Sequence, residues 1–260
     1  MRTITSIKNA KNSEKLVMIT AYDALFAAIF NNKTDMILVG DSLNMSFNYA
    51  GDTLSVSTDM MIYHTKAVCK GAPDTFVITD MPFGAYLSEQ AALKNCTRIY
   101  QETNSNAVKI EGGKERANIV KSLTRNSIAV MGHIGLMPQF VRSEGGFKIK
   151  GKDDESTQKL IDDARAIEDA GAFCIVLEGV KEDAGKAVTK AVSIPVIGIG
   201  AGRYTDGQVL VWSDMLGFFE KFRPKFVKQY LNGADLVKKA VEQYAEDVKS
   251  GKFPNDEFIY

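Results

Sequence analysis

The chain has 260 residues, with 32 lysines and arginines against 32 aspartates and glutamates, so its formal charge at neutral pH is zero. A balanced chain lacks the basic excess that non-specific nucleic-acid binding requires, and 45% hydrophobic residues with 25% charged is too apolar for intrinsic disorder. No apolar stretch approaches the about 18 residues needed for a membrane-spanning helix, so no membrane association is expected. The segment Met1 to Lys15 is polar, without the apolar centre of a signal peptide. Three cysteines, Cys69, Cys96 and Cys174, are widely spaced with no Cys-x-x-Cys pair. That pattern excludes a zinc ribbon or dithiol redox motif and suits a reducing, cytoplasmic location.

Along the chain, short apolar runs alternate with longer segments of helical period. The runs are Leu16–Ala21, Met36–Gly40, Phe76–Thr79, Val108–Ile110, Ile128–Gly132, Cys174–Leu177, Val196–Ile199 and Val209–Trp212. Most are nearly continuous, as parallel strands buried on both faces are. Between them, Ser156 or Thr157 is placed to cap a helix carrying Leu160, Ala164 and Ile167, and Gly171 stands where that helix should end. Val237, Val241, Tyr244 and Val248 repeat the period near the C-terminus. Eight strand–helix units in a chain of this length predict an α/β fold of the (β/α)8 TIM-barrel type, as one domain spanning 1–260, because no linker or low-complexity tract divides it. A doubly wound open sheet is the rival that shares the alternation.

The functional signal lies at the ends of the runs. The second leads into Asp41-Ser42, the third into Asp80, the fourth into Glu111, the fifth into His133 and the sixth into Glu178. One acid after a strand is ordinarily a helix cap or a loop residue. Five consecutive strands, each delivering one ionisable group, predict a shared rim, because the C-terminal ends of barrel strands converge. His133 taken alone would be a structural histidine, and it joins the site by its place in this series. His64 lies in a helical segment without such support. Lys109 and Glu111 are two apart in a strand and face the same side; an inward lysine requires pairing with the acids. The reversed register would point both toward the helices.

Crowded carboxylates raise one another's pKa unless a cation intervenes. Oxygen ligands with few histidines and no cysteine suit a hard ion such as Mg2+, which takes one or two carboxylates and leaves positions for water and substrate. Asp41 and Asp80 are the natural pair of ligands, leaving a carboxylate farther round the rim to act as a base. The residues thus point to metal-assisted enolate chemistry. The glycine run Gly198-Ile199-Gly200-Ala201-Gly202 does not have the dinucleotide spacing and reads as tight turns rather than a phosphate loop.

Several segments in order carry a resemblance to a known family. They are Thr20-Ala21-Tyr22-Asp23, Val39-Gly40-Asp41-Ser42-Leu43, Met61-Ile62-Tyr63-His64-Thr65, Asp80-Met81-Pro82-Phe83-Gly84, Val108-Lys109-Ile110-Glu111-Gly112-Gly113, Met131-Gly132-His133-Ile134-Gly135-Leu136, Pro138-Gln139 and Pro195 through Gly202. The chain resembles the ketopantoate hydroxymethyltransferase family over almost its whole length. The resemblance implies a barrel of the phosphoenolpyruvate/pyruvate superfamily. It also implies transfer of a hydroxymethyl group from 5,10-methylenetetrahydrofolate to 3-methyl-2-oxobutanoate, giving 2-dehydropantoate in pantothenate (coenzyme A) biosynthesis.

On that resemblance Asp41 and Asp80 are Mg2+ ligands, and Glu111 is an acid near the metal acting through water. Ser42 and Lys109 hold the keto acid, His133 is a further polar group near it, and Glu178 is the general base. A homo-oligomer, in this family often a decamer, is implied as well. Asn44 and Arg203 depart from the family pattern, where glycine and asparagine are usual, and bear on loop geometry and the folate side. A Mg2+-dependent carbon–carbon lyase acting on another 2-keto acid is the alternative that the acid ring alone leaves open.

Overall fold

A computed structural model describes residues 1–260. They divide into two compact units, Met1–Val211 and Trp212–Tyr260. In the first, the elements run α1 (Ile4–Asn9), β1 (Leu16–Thr20), α2 (Ala24–Phe30), β2 (Met36–Val39), α3 (Leu43–Phe47), α4 (Thr58–Gly71), β3 (Phe76–Asp80), α5 (Glu89–Glu102), β4 (Ala107–Glu111), α6 (Ala117–Arg125), β5 (Val130–Gly135), α7 (Asp154–Asp169), β6 (Cys174–Glu178), α8 (Glu182–Ala191), β7 (Val196–Ile199) and β8 (Gly207–Leu210). All eight strands are parallel and close into a barrel, β8 pairing with β1 through Leu16 opposite Gly207. The expected (β/α)8 barrel is therefore the fold, and the open-sheet rival is excluded by that closure.

Strand parity fills the interior. Met18, Met36, Leu38, Phe76, Ile78, Ala107, Met131, Val176, Ile197 and Val209 belong to one buried cluster, drawn from alternate positions of successive strands. Ile7 and Ala10 join the same cluster, so the short α1 and its C-cap plug the end of the barrel at which the strands begin. The other end is where the polar residues emerge. Extending the inward parity along β3 and β4 leads from Ile78 to Asp80 and from Ala107 to Lys109 and Glu111. The apolar floor turns polar at one level.

Three local expectations are corrected. The fifth strand starts at Val130 and continues to Gly135, so His133 lies within β5 rather than after it. Its ladder with β6, from Met131 opposite Cys174 to Gly135 opposite Glu178, carries the strand through residues of weak strand propensity. The eighth strand begins at Gly207, and Trp212 already starts a helix. Asp153, not Ser156 or Thr157, caps α7: its carboxylate accepts from the Ser156 N–H at 2.8 Å, and Ser156 Oγ accepts from the Asp153 N–H at 3.2 Å. Leu160, Ala164 and Ile167 form the buried face of α7 as expected, and Gly171 follows its end at φ +99°.

The second unit contains α9 (Trp212–Met215) and α10 (Gly233–Ser250), with the Trp212 and Phe218 rings 5.5 Å apart. Gly251 ends α10 in the left-handed conformation, at φ +71°. No helix of the chain is long and apolar enough to cross a membrane.

Ile78 is fully buried in the barrel cluster. Ile78→Ala is expected to lower stability by about 2–5 kcal/mol, read from the midpoint of urea unfolding. A loss under about 1 kcal/mol would show that the barrel interior collapses around the vacancy.

Candidate active site

The polar rim is built by adjacent strands. β3 and β4 pair with Asp80 opposite Lys109, and β4 and β5 pair with Glu111 opposite His133. β5 and β6 pair with Gly135 opposite Glu178. Asp41 follows β2 by way of Gly40, where a Cβ would come within 2.8 Å of Ser42 Oγ. Glycine there lets Ser42 and Asp80 approach the same strand end. Ser42 stands at the N-cap of α3, but neither its side chain nor that of Asp41 is used for capping. Asp41 accepts from a side-chain amide, and Ser42 Oγ lies 2.8 Å from the Tyr22 hydroxyl.

The contacts form one continuous chain. The Asp41 N–H donates to Asp80 Oδ2 at 3.0 Å. Lys109 Nζ is 2.8 Å from Asp80 Oδ1 and 3.0 Å from His133 Nδ1. His133 Nδ1 is 3.4 Å from Glu111 Oε1, and Nε2 is 3.3 Å from Glu178 Oε2. Asp41, Asp80, Lys109, Glu111 and His133 are each between 1% and 4% exposed, whereas the Glu178 side chain keeps 21%. The inward orientation of Lys109 is thus established by its burial and its ion pair. All seven residues singled out in the sequence gather here: the five buried ones, the partly exposed Glu178, and Ser42 at the edge. His64 is elsewhere engaged, its Nδ1 2.6 Å from the Tyr22 carbonyl.

Burial sets the electrostatics. Burial, followed by the charges of Asp80 and Glu111, holds the Asp41 carboxyl well above its ordinary value. Burial also raises Asp80, although Lys109 pulls it down. Burial pushes Glu111 up as well, but His133 and Lys109 outweigh it and leave Glu111 lowered. Burial and Lys109 press the His133 imidazole down; Glu111 and Glu178 overcome them and leave it raised to about 9. The Lys109 ammonium 3.0 Å from Nδ1 opposes a proton at that atom, while Glu111 Oε1 at 3.4 Å favours one. Burial would lower Lys109, yet the three acids raise it, so it remains an ammonium.

The donor set fits a hard divalent ion through Asp41 and Asp80: two buried carboxylates on adjacent strand ends, both raised chiefly by burial. Glu111 does not complete a three-ligand cage, and no three His, Cys, Asp or Glu side chains of the chain form one. Glu111 Oε2 accepts from the Gln139 N–H at 3.0 Å, and Oε1 faces His133. That arrangement suits a contact through water.

Sequence reasoning assigned no role to Gln139 or Tyr86, both buried beside the acids. Their one signal was Pro138-Gln139, lying shortly after the fifth strand. The departing Asn44 is buried: its Nδ2 donates to the Asp52 carbonyl at 2.7 Å and to Ser55 Oγ at 2.9 Å, tying down the loop after α3. Arg203 is exposed and pairs with Glu182 at 3.2 Å. In the glycine run, Gly200 and Gly202 take φ +60° and +80°, the tight turns expected.

A parallel barrel with acids and one lysine gathered at its C-terminal mouth defines the class, and solved structures share that fold. Phosphonopyruvate hydrolase matches with a TM-score of 0.63 over 99% of this chain and 90% of its own, at 13% identity. 2,3-Dimethylmalate lyase, a member of the PEP mutase/isocitrate lyase superfamily, matches at 0.60 over 100% and 92%, at 16% identity.

The sequence comparisons narrow this further. Residues 1–256 match the ketopantoate hydroxymethyltransferase family, and the chain belongs to that family of enzymes. Relatives named 3-methyl-2-oxobutanoate hydroxymethyltransferase are 64% identical in Aliarcobacter butzleri (99% of this chain, 96% of the relative), 63% in Nitratiruptor sp. (99% and 98%) and 58% in Helicobacter pylori strain HPAG1 (98% and 94%).

Lys109 is the principal counter-charge here. Its raised pKa contributes stability that is fully present below the unfolded lysine value and lost only at high pH. Lys109→Met is expected to cost about 3–5 kcal/mol at about pH 7.5 without divalent ions. The deficit should narrow at about pH 5, where the raised Asp41 and Asp80 take up protons in the folded state before the unfolded chain does. Equal deficits in urea unfolding at both pH values would contradict this role.

Proposed function

We propose that this enzyme transfers a hydroxymethyl group from 5,10-methylenetetrahydrofolate to 3-methyl-2-oxobutanoate, giving 2-dehydropantoate in pantothenate biosynthesis, through an enolate. The observation that carries the reading is the buried Asp41–Asp80–Lys109–Glu111 set with the partly exposed Glu178 beside it, in a chain whose relatives carry the hydroxymethyltransferase name.

The keto acid is an anion with adjacent carboxylate and keto oxygens. The Lys109 ammonium and the Ser42 hydroxyl are the donors that orient it. Asp41 and Asp80 would hold Mg2+, with Glu111 acting through water; a bound Mg2+ polarises the keto group and acidifies the C3 proton.

Glu178 is the carboxylate with access to solvent and substrate, and it removes that proton. Its neighbour His133, with Nε2 3.3 Å away, restricts the carboxylate. Lys109 stabilises negative charge developing on the enolate oxygen, a role favoured by its burial. C3 then attacks the methylene carbon of the donor in its iminium form. Opening of the donor to its iminium breaks one carbon–nitrogen bond. The carbon–carbon bond then forms, and water displaces the second folate nitrogen and leaves its hydroxyl on the transferred carbon. The C3 proton taken by Glu178 and the proton lost by water go to the two freed nitrogens. Close packing of the rim keeps water from the iminium before C3 reaches it.

We place the reaction in the cytoplasm, a reading supported by three free cysteines, two of them buried. We also propose a homo-oligomer, a decamer by family resemblance. It is supported by the stripe Val237, Val241, Tyr244 and Val248 on α10, each about half exposed.

The test follows the C3 proton. Glu178→Gln should bind 3-methyl-2-oxobutanoate about as well as the parent and lose exchange of that proton with deuterated water by about 100-fold or more. Parental exchange in the variant would place the base elsewhere. Lyase turnover of another 2-keto acid, without donor-dependent consumption of 3-methyl-2-oxobutanoate, would contradict the whole reading.

A further inference from the structure

Gln139 sits in a single turn, Pro138–Phe140, just beyond β5, and is 5% exposed. Every polar group of its side chain is used, and its backbone N–H as well. Nε2 donates to Asp41 Oδ2 at 2.8 Å and to the Met81 carbonyl at 2.9 Å. Oε1 accepts from the Tyr86 hydroxyl at 2.5 Å, and the backbone N–H donates to Glu111 Oε2 at 3.0 Å. One residue therefore ties together the ends of β2, β3 and β4.

The amide orientation is dictated by its partners. The Met81 carbonyl can only accept, so the NH2 group must face it, and Oε1 is left for the Tyr86 donor. The Tyr86 ring is itself buried, with the Arg116 guanidinium 5.5 Å from its centre. Buried polar groups are ordinarily satisfied, so hydrogen bonding alone would be unremarkable. The choice of partners is what matters. Two of the four bonds end on acids of the proposed ion site, and the donor is neutral. A lysine or arginine at this point would neutralise Asp41 and compete with a cation; a glutamate would repel it. Glutamine fixes the carboxylate while leaving its charge available.

We propose that Gln139, braced by Tyr86, is a positioning residue that sets the Asp41 carboxylate and the place of Glu111 for a divalent cation before substrate arrives. This inference rests on the divalent-ion reading above. Neither residue need touch the keto acid; each acts through the acids it holds.

The experiment uses the full chain and Mn2+ as the probe, followed by electron paramagnetic resonance without substrate, with urea unfolding of each variant alongside. Gln139→Met keeps the bulk and removes the donors. Tyr86→Phe keeps the ring and removes one bond. The Mn2+ dissociation constant is expected to rise about 10–100-fold in Gln139→Met and by about tenfold in Tyr86→Phe. If Gln139→Met does not fold, Tyr86→Phe decides the matter. Affinities within about twofold of the parent in the folded variants, with only the urea midpoint lowered, would reduce the pair to a structural role and overturn the proposal. Asp41→Ala separates the two layers: parental protein that binds Mn2+ and an Asp41→Ala variant that does not support the ion reading independently of Gln139. A parental chain that binds no Mn2+ would overturn both.

Discussion

Lys109 Nζ lies 2.8 Å from Asp80 Oδ1, inside the barrel mouth, with both side chains nearly sealed from water. Removing an ammonium from water costs several kcal/mol, and the cost is offset only where charged partners are close and fixed. Here three acids supply the partners. The exchange works in both directions: without the ammonium, Asp41, Asp80 and Glu111 would crowd one another in a medium that penalises each charge. Even with it, Asp41 and Asp80 stay raised, chiefly because burial penalises their charge, with the neighbouring acids adding to it. Two buried carboxylates side by side are what make a divalent cation a fitting partner for the site.

The barrel makes this concentration of charge possible. Eight parallel strands with α1 beneath them form a floor of Met18, Met36, Leu38, Ile78 and their neighbours, held by apolar burial alone. The same inward parity that fills the floor delivers Asp80, Lys109, Glu111 and His133 one level higher. Rigidity at that level comes from the strand ladders, from Gly40, which leaves room for Ser42 and Asp80, and from Gln139, which binds across three strand ends. Glu178 differs from the others in retaining solvent access, which suits the proton-removing role proposed for it.

Much of this was readable in the sequence, for identifiable reasons. Buried parallel strands are short apolar runs, and an acid directly after each run marks the end at which a barrel binds ligands, so Asp41, Asp80, Glu111 and Glu178 were visible. The two-residue period put Lys109 on the face of Glu111, and pairing logic chose the inward side. Other features depend on partners distant in sequence. β5 extends through Gly132, His133 and Gly135 because β6 pairs with them, which no local propensity announces. Gln139 reaches Asp41 across 98 residues, and a lone glutamine after a strand carries no pattern. Asn44 looked like a departure from a family glycine, and its work in holding the loop at Asp52 and Ser55 is visible only in three dimensions. On α10 the apolar period was correct, but periodicity does not say what lies against a helix.

The central claim is that the buried acids and Lys109 form one site for a 2-keto acid together with a divalent ion. A crystal structure of the chain with Mg2+ and 3-methyl-2-oxobutanoate tests it most directly. The account predicts the ion on Asp41 and Asp80, with Glu111 reached through water. It also predicts a keto-acid oxygen within hydrogen-bond distance of Lys109 Nζ and the substrate C3 facing Glu178. An ion bound away from Asp41 and Asp80, or a keto acid that leaves Lys109 and Glu178 untouched, would contradict it.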